Sequence, residues 1–267
     1  MKIIHRFSLA AKDSDSRAAL ASLGIQLKEQ PLIAIFEIEE SDSRWPQVEE
    51  WSERSRRPRV TRTVFTPAEI AAARWLALRP SWHYGYPQPD EGSFGYRRAT
   101  YDLSDWCPAC GIGLRQVAPF QMKGEPAWGK NSLLQMNWVF DEFFATPDLW
   151  EKLFRPYGVG MRSVLGPRGR ELETVVQLVA DSVVAVVTDD LAAVHCAECG
   201  RVKYLPPTRG MFPRLAAEPG PSMIKTEQYF GSGADAHREI LICGDLGKAL
   251  TAAKTKGATL TPVADAP

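Results

Sequence analysis

Four cysteines in two short motifs are the residues of this chain with the clearest chemistry. The motifs are Cys107-Pro-Ala-Cys110-Gly111 and Cys196-Ala-Glu-Cys199-Gly200. Two thiolates at this spacing can bind one ion, because the residues between them form a tight turn. The glycine that follows permits the positive φ at which backbone N–H groups donate to the sulfurs. Two such motifs in one chain are typical of a tetrahedral zinc site with four cysteine ligands.

The two motifs together predict one structural Zn²⁺ per chain. Four thiolates complete the coordination sphere and leave no position for a catalytic water. The alternatives are a thioredoxin-type redox role, a degenerate site without metal, and His195 as ligand in place of its neighbour Cys196. Residues 111–195 separate the motifs, far more than the ~15–20 residues of a compact zinc ribbon, so a folded segment must lie between them.

Other motifs of this sequence match catalytic patterns only in part. Residues 124–131 resemble a phosphate-binding loop, but Asn131 stands where Ser or Thr would bind Mg²⁺. Ser222 and Lys225 fit Ser-x-x-Lys without its companion motifs. We therefore interpret both as chance matches and predict that the protein is not an enzyme.

A glycine-rich loop, residues 231–238, is the remaining candidate for a binding surface or an active site. It contains Asp235, His237 and Arg238. An ordered loop with satisfied side chains is the favoured interpretation, and an uncharacterised enzyme that uses these three residues is the alternative. Cys243, the fifth cysteine, lies in an apolar run and is predicted to be a small buried hydrophobe.

Composition and charge limit the classes of partner. The 267 residues are 45% hydrophobic, as in globular proteins, and 32 basic residues balance 32 acidic ones. Zero net charge argues against a nucleic-acid-binding protein. A local basic patch keeps a nucleic-acid-associated zinc ribbon as an alternative, and its members are Arg54, Arg56, Arg57, Arg59 and Arg62.

The hydrophobic pattern predicts a cytoplasmic protein without a membrane partner. The chain contains no run of ~20 apolar residues, and its opening residues are interrupted by charge too early for a signal peptide. Thiols stay reduced in the cytoplasm, which favours metal ligands over disulfides.

The order of predicted elements indicates an α+β fold. Residues 1–79 read as an N-terminal α/β module, which closes with a helix that begins at the capping pair Thr66 and Pro67 and ends near Leu78. Residues 80–100 are rich in Pro and Gly and predict a linker. Residues 101–263 form the zinc-binding domain, with small strand–helix–strand modules around a zinc-ribbon-like site of four cysteines.

An internal repeat lies within this domain, at about 143–164 and 240–263. Each copy has apolar residues, then Asp-Leu-x-x-x-Leu, then Gly followed by an alternating apolar segment. The pattern predicts strand, helix, terminating glycine and strand in both copies, because leucines at i and i+4 share one helix face. A chance match between two short apolar patterns is the alternative.

These motifs resemble the double-CxxCG-motif proteins, a paralogous family best known from myxobacteria, over residues 107–263. The residues that carry the resemblance are Cys107, Cys110, Gly111, Leu149, Leu153, Gly158, Cys196, Cys199, Gly200, Leu246, Leu250 and Gly257. Some members of that family are regarded as immunity proteins that neutralise a toxin by binding it. The resemblance thus implies a non-enzymatic bacterial immunity protein whose partner is a protein toxin.

Overall fold

The computed structural model describes residues 1–90 and 94–265 of the chain. The chain divides into two compact units. The first contains residues 1–67 and 207–211, and the second contains residues 68–206 and 212–267. The fold mixes helices and strands, as the sequence predicts, and it is mostly sheet.

The first unit is an antiparallel sheet with two helices. Its strands are β1 (Lys2–Ala10), β2 (Lys28–Glu29), β3 (Ile33–Glu39) and β4 (Arg59–Val64), in the order β2-β3-β1-β4. The helices are α1 (Ser14–Ser22) and α2 (Trp45–Arg54). Phe7 and Phe36 face each other across β1 and β3 with ring centroids 4.9 Å apart, and Trp51 of α2 packs against both. Strand alternation thus gives the sheet one apolar face for α2 to cover.

Most of the basic patch predicted between residues 54 and 62 is neutralised within the first unit. Four of its five arginines have a carboxylate oxygen within 4.0 Å; the pairs are Arg54–Glu50, Arg57–Asp13, Arg59–Glu49 and Arg62–Glu37. A surface that grips a phosphate backbone needs unpaired cations, so this pairing weighs against the nucleic-acid alternative.

The described residues of the second unit form two sheets and two short hairpins. One sheet has the order β12-β15-β16-β5-β17, the other has the order β10-β11-β9-β8, and β6/β7 and β13/β14 are the hairpins. The strands are β5 (Trp75–Pro80), β6 (Tyr101–Asp102), β7 (Arg115–Gln116), β8 (Leu133–Leu134), β9 (Phe144–Ala145), β10 (Gly160–Leu165), β11 (Glu171–Val179), β12 (Val183–Val184), β13 (Ala193–His195), β14 (Val202–Tyr204), β15 (Met223–Thr226), β16 (Ile240–Cys243) and β17 (Ala258–Pro262).

Of the helices described beyond α2, the first three have six residues or fewer. The helices beyond α2 are α3 (Pro67–Ala72), α4 (Tyr96–Thr100), α5 (Pro147–Leu149) and α6 (Gly244–Ala252). A π-helical turn, Trp150–Phe154, and a 3-10 turn, Arg155–Tyr157, continue α5. A further 3-10 turn spans Pro167–Gly169.

The helix that begins at Pro67 ends earlier than the sequence predicts. It stops at Ala72, and Trp75–Pro80 is strand β5, which lies between β16 and β17. Residues 68–79, predicted to belong to the N-terminal module, are therefore part of the second unit. The reason is tertiary: Leu76 and Leu78 are buried in its core, and this outweighs the local helical pattern.

The described part of segment 80–100, which the sequence predicts as a linker, is hydrogen-bonded to other residues of the second unit. The Tyr84 N–H donates to the carbonyl of Gln135, and the Asn137 N–H donates to the carbonyl of Gly85. Tyr96 is buried, and its hydroxyl donates to the carbonyl of Trp138. Residues 91–93 of the predicted linker lie outside the described residues.

The two segments predicted as repeat copies have the same order of elements. In each, a strand (β9 or β16) leads into a helix (α5 or α6), then a glycine (Gly158 or Gly257), then a second strand (β10 or β17). In each copy, one antiparallel strand lies between these two strands in the sheet: β11 lies between β9 and β10, and β5 lies between β16 and β17. Leu149 of α5 and Leu246 and Leu250 of α6 lie in one shared core cluster.

Candidate metal centre

The four cysteines lie at the ends of the two short hairpins. Cys107 and Cys110 are in the connection between β6 and β7, and Cys196 and Cys199 are in the connection between β13 and β14. The backbone hydrogen bonds are the same in both turns: Cys107 N to Ile112 O and Cys196 N to Arg201 O, both 2.9 Å, and Gly111 N to Cys107 O and Gly200 N to Cys196 O, 2.8 and 2.9 Å. The glycine φ angles are 83° and 72°, which is why each turn ends in glycine.

The sulfur atoms are close enough to bind one ion. All four lie within 4.8 Å of one another; Cys107 Sγ is 3.9 Å from Cys196 Sγ, and Cys110 Sγ is 3.7 Å from Cys199 Sγ. None is in a disulfide. Tetrahedral coordination with metal–sulfur bonds of ~2.3 Å places neighbouring sulfurs ~3.8 Å apart. The arrangement therefore fits a tetrahedral metal ion held by four sulfurs.

A buried lysine that the sequence analysis did not identify joins the two hairpins. Lys203 of β14 is 2% exposed, and its ammonium donates to the carbonyls of Cys110, Gly233 and Asp235 at 2.7–2.8 Å. Among the described residues it has no carboxylate partner within 4.0 Å. A buried cation needs a nearby negative charge, and four thiolates around a divalent ion carry a net charge of −2.

A second cation contacts the exposed side of the site. Arg201 Nε donates to Cys199 Sγ at 3.3 Å, and its guanidinium also binds the carboxylate and carbonyl of Asp105. It thereby links the second turn to the first hairpin. Arg201 and Lys203 carry together the charge that would balance a divalent tetrathiolate site. The available sequence signal was two basic residues close after Cys199-Gly200, Arg201 at the next position and Lys203 two positions later.

The thiols differ in acidity because they differ in surroundings. Burial raises the pKa of Cys110 to about 12, whereas the side-chain and backbone hydrogen bonds from Arg201 lower the pKa of Cys199 to about 6. A metal ion must displace the proton of Cys110 before all four sulfurs can coordinate it. Metal binding therefore releases protons and weakens as the pH falls.

The glycine-rich loop, residues 231–238, packs against the first cysteine turn. A Cβ on Gly111 would lie 2.4 Å from the carbonyl oxygen of Ala234 and 2.7 Å from the nitrogen of Ala236. Two carbonyls of this loop, those of Gly233 and Asp235, accept from Lys203. The loop backbone is thus part of the wall around the cysteines.

The three residues proposed as an alternative active site do not converge. Asp235 is exposed. His237 Nε2 is 3.5 Å from Glu239 Oε1, and the Arg238 guanidinium lies over the Tyr229 ring, 4.8 Å from its centroid. Burial alone would raise the pKa of Glu239, but His237 and the nearby Arg79 lower it. The geometry gives no shared point at which the three side chains could act on one substrate.

The other residues singled out in the sequence are not members of the cysteine cluster. His195 is exposed and is not among the grouped ligands. Cys243 packs against two core clusters, as predicted for a small hydrophobe, but it is half-buried rather than fully buried. Lys225 pairs with Glu142 rather than with Ser222.

Comparisons with known proteins found no match. No family model matches the chain, and no curated protein or solved structure matches it either. Within residues 1–90 and 94–265, none of the helices has the length and apolar character that a membrane crossing requires.

Proposed function

We propose that Cys107, Cys110, Cys196 and Cys199 bind one Zn²⁺ per chain and that its role is structural. Two observations support this proposal: four sulfurs at tetrahedral spacing, and two cations that match the charge of a divalent tetrathiolate. Thiolates favour soft or borderline ions such as Zn²⁺ over Mg²⁺ or Ca²⁺. With four sulfur ligands no position is open for water, so the ion joins two hairpins that are distant in sequence.

The zinc assignment is tested on purified full-length protein. We expect metal analysis to find about one Zn²⁺ per chain and the double variant Cys107→Ser/Cys196→Ser to lose it. Because structural zinc sites contribute on the order of 10 kcal/mol to folding, that variant should unfold far more easily. Cys243→Ser, at the cysteine outside the cluster, is the control and should keep both zinc and stability. Wild-type protein without zinc, or a double variant as stable as wild type, would refute the assignment.

We further propose that the protein is a non-enzymatic cytoplasmic bacterial protein that binds and neutralises a toxin. The observation that carries this proposal is that neither candidate catalytic cluster is assembled: the cysteine site is closed by four sulfurs, and Asp235 is exposed while His237 and Arg238 contact different residues. The resemblance of residues 107–263 to the double-CxxCG-motif proteins supplies the toxin as partner. A protein that acts by occupancy relies on surface complementarity rather than on one acid, base or nucleophile.

The functional proposal is tested by co-expression with the toxin-like product of an adjacent gene. We expect growth rescue that survives His237→Ala and Asp235→Ala made singly, because binding energy is spread over a patch. Cys110→Ser should abolish rescue by unfolding the zinc-bound scaffold, whereas Cys243→Ser should not. If no such gene exists and His237→Ala abolishes a measurable turnover, the enzyme alternative replaces this proposal.

A further inference from the structure

A cleft of about 590 Å³ opens beside the β6/β7 hairpin, whose connection contains Cys107 and Cys110. One wall is the β6/β7 hairpin with Asp102 and Arg115, and another is the β10/β11 pair with Arg162 and Gln177. Lys225 of β15 and Arg238 also line the cleft. The volume is within the ~300–1,000 Å³ typical of ligand sites, yet the lining is charged rather than apolar.

A hydrogen-bonded ion pair is buried in this cleft. Glu142 is 5% exposed and pairs with Lys225, and Gln177 Nε2 donates to its second oxygen at 2.9 Å. Gln177 and Gln116 also exchange two amide hydrogen bonds, at 2.7 and 2.9 Å. Burial raises the pKa of Glu142, although Lys225 opposes the rise. Apolar replacements of a buried ion pair are often as stable or more stable, so stability alone does not account for this network.

Four charged side chains of the cleft have no ion-pair partner within 4.0 Å among the described residues. Two are cations, Arg162 and Arg238, and two are anions, Asp141 and Asp181. The Arg238 Nε is buried without an acceptor in the described part of the chain. Free guanidiniums bind carboxylates through parallel N–H donors, and free carboxylates bind ammonium or guanidinium groups. Since both signs are present in equal number, the cleft suits neither a simple anion nor a simple cation.

We propose that this cleft is the docking site for a segment of the partner protein that carries one acidic and one basic side chain close together. The inference rests on the proposed function, because it names the chemistry of the partner's contact. Arg162 and Arg238 bind the acidic group, and Asp141 and Asp181 bind the basic one. The Glu142–Lys225 pair keeps the base of the cleft polar.

The first arm of the test uses short peptides and zinc-loaded full-length protein. The probes are a blocked peptide with one lysine and one glutamate, two matched peptides in which glutamine replaces either residue, and inorganic phosphate. Calorimetry or NMR titration should show that the peptide with both lysine and glutamate binds at least ~10-fold more tightly than either glutamine peptide or phosphate, since each charge-assisted contact adds affinity. Arg162→Gln/Arg238→Gln should abolish the preference, and Arg98→Gln, at an exposed arginine outside the cleft, should not.

Equal affinity for the three peptides, or phosphate binding that exceeds all of them, would overturn the inference. The second arm introduces Arg162→Gln/Arg238→Gln into the growth-rescue assay, where rescue should be lost although the variant remains folded and zinc-loaded. If wild type and this variant both rescue, the cleft is not the docking site and the proposed function stands. If wild type does not rescue, the proposed function fails, and the peptide titration alone decides whether the cleft binds such a segment.

Discussion

Replacing Lys203 with methionine tests whether the buried ammonium balances the charge of the metal centre. Methionine keeps the unbranched apolar stem and removes only the charge and its three hydrogen bonds. The Cys110 carbonyl is on a buried residue and loses its donor, whereas Gly233 and Asp235 are exposed and can bond to water instead. An unsatisfied buried acceptor costs ~1–3 kcal/mol, so with the weaker losses at the exposed carbonyls we expect roughly 2–4 kcal/mol of destabilisation.

The same substitution should weaken zinc binding, because the tetrathiolate site, with its net charge of −2, would lose one of the two cations beside it. Outer-shell changes of this kind typically cost ~10–100-fold in metal affinity. Competition with a chromophoric chelator measures the affinity, and guanidinium unfolding of the zinc-loaded protein measures the stability. Lys225→Met is the matched control, since it removes a largely buried ammonium that pairs with Glu142 and should lower stability without changing zinc affinity. A Lys203→Met protein with wild-type zinc affinity would refute the charge-balance argument.

Two further predictions concern the repeat glycines and acid stability. Gly257→Ala should destabilise the protein far more than Gly158→Ala, as measured by denaturant unfolding. Both glycines have positive φ, 104° at Gly257 and 75° at Gly158. Of the two, only at Gly257 would the added Cβ collide with another atom, because it would lie 1.7 Å from the carbonyl oxygen of Leu133. Equal losses would contradict this. Asp42→Asn should lower stability much more at pH 7 than near pH 2. Side-chain and backbone hydrogen bonds from Arg44 lower the pKa of Asp42 to about 2, below the unfolded value of ~3.9, so the stabilisation exists above about pH 4 and is lost as pH falls through 2. A constant difference across this range would contradict the assignment.

The sequence by itself determined the features that local spacing controls. Each Cys-x-x-Cys-Gly turn forms through bonds among neighbouring residues, and its glycine takes positive φ for the same local reason. The sequence also predicted the helices that begin after residues 146 and 243 and the glycines that follow them, because leucines four residues apart lie on one helix face. The zinc itself, the partner and the family resemblance stay predictions.

Tertiary structure decided what depends on residues distant in the chain. Trp75–Pro80 became an interior strand rather than the end of a helix, because β16 and β17 supply hydrogen bonds on both of its sides. Lys203 could not be recognised as part of the metal centre, since its three acceptors come from residues 110, 233 and 235. The charged cleft likewise arises only where the β6/β7 hairpin meets the edges of two sheets, because pairing of distant strands is not encoded in any local pattern.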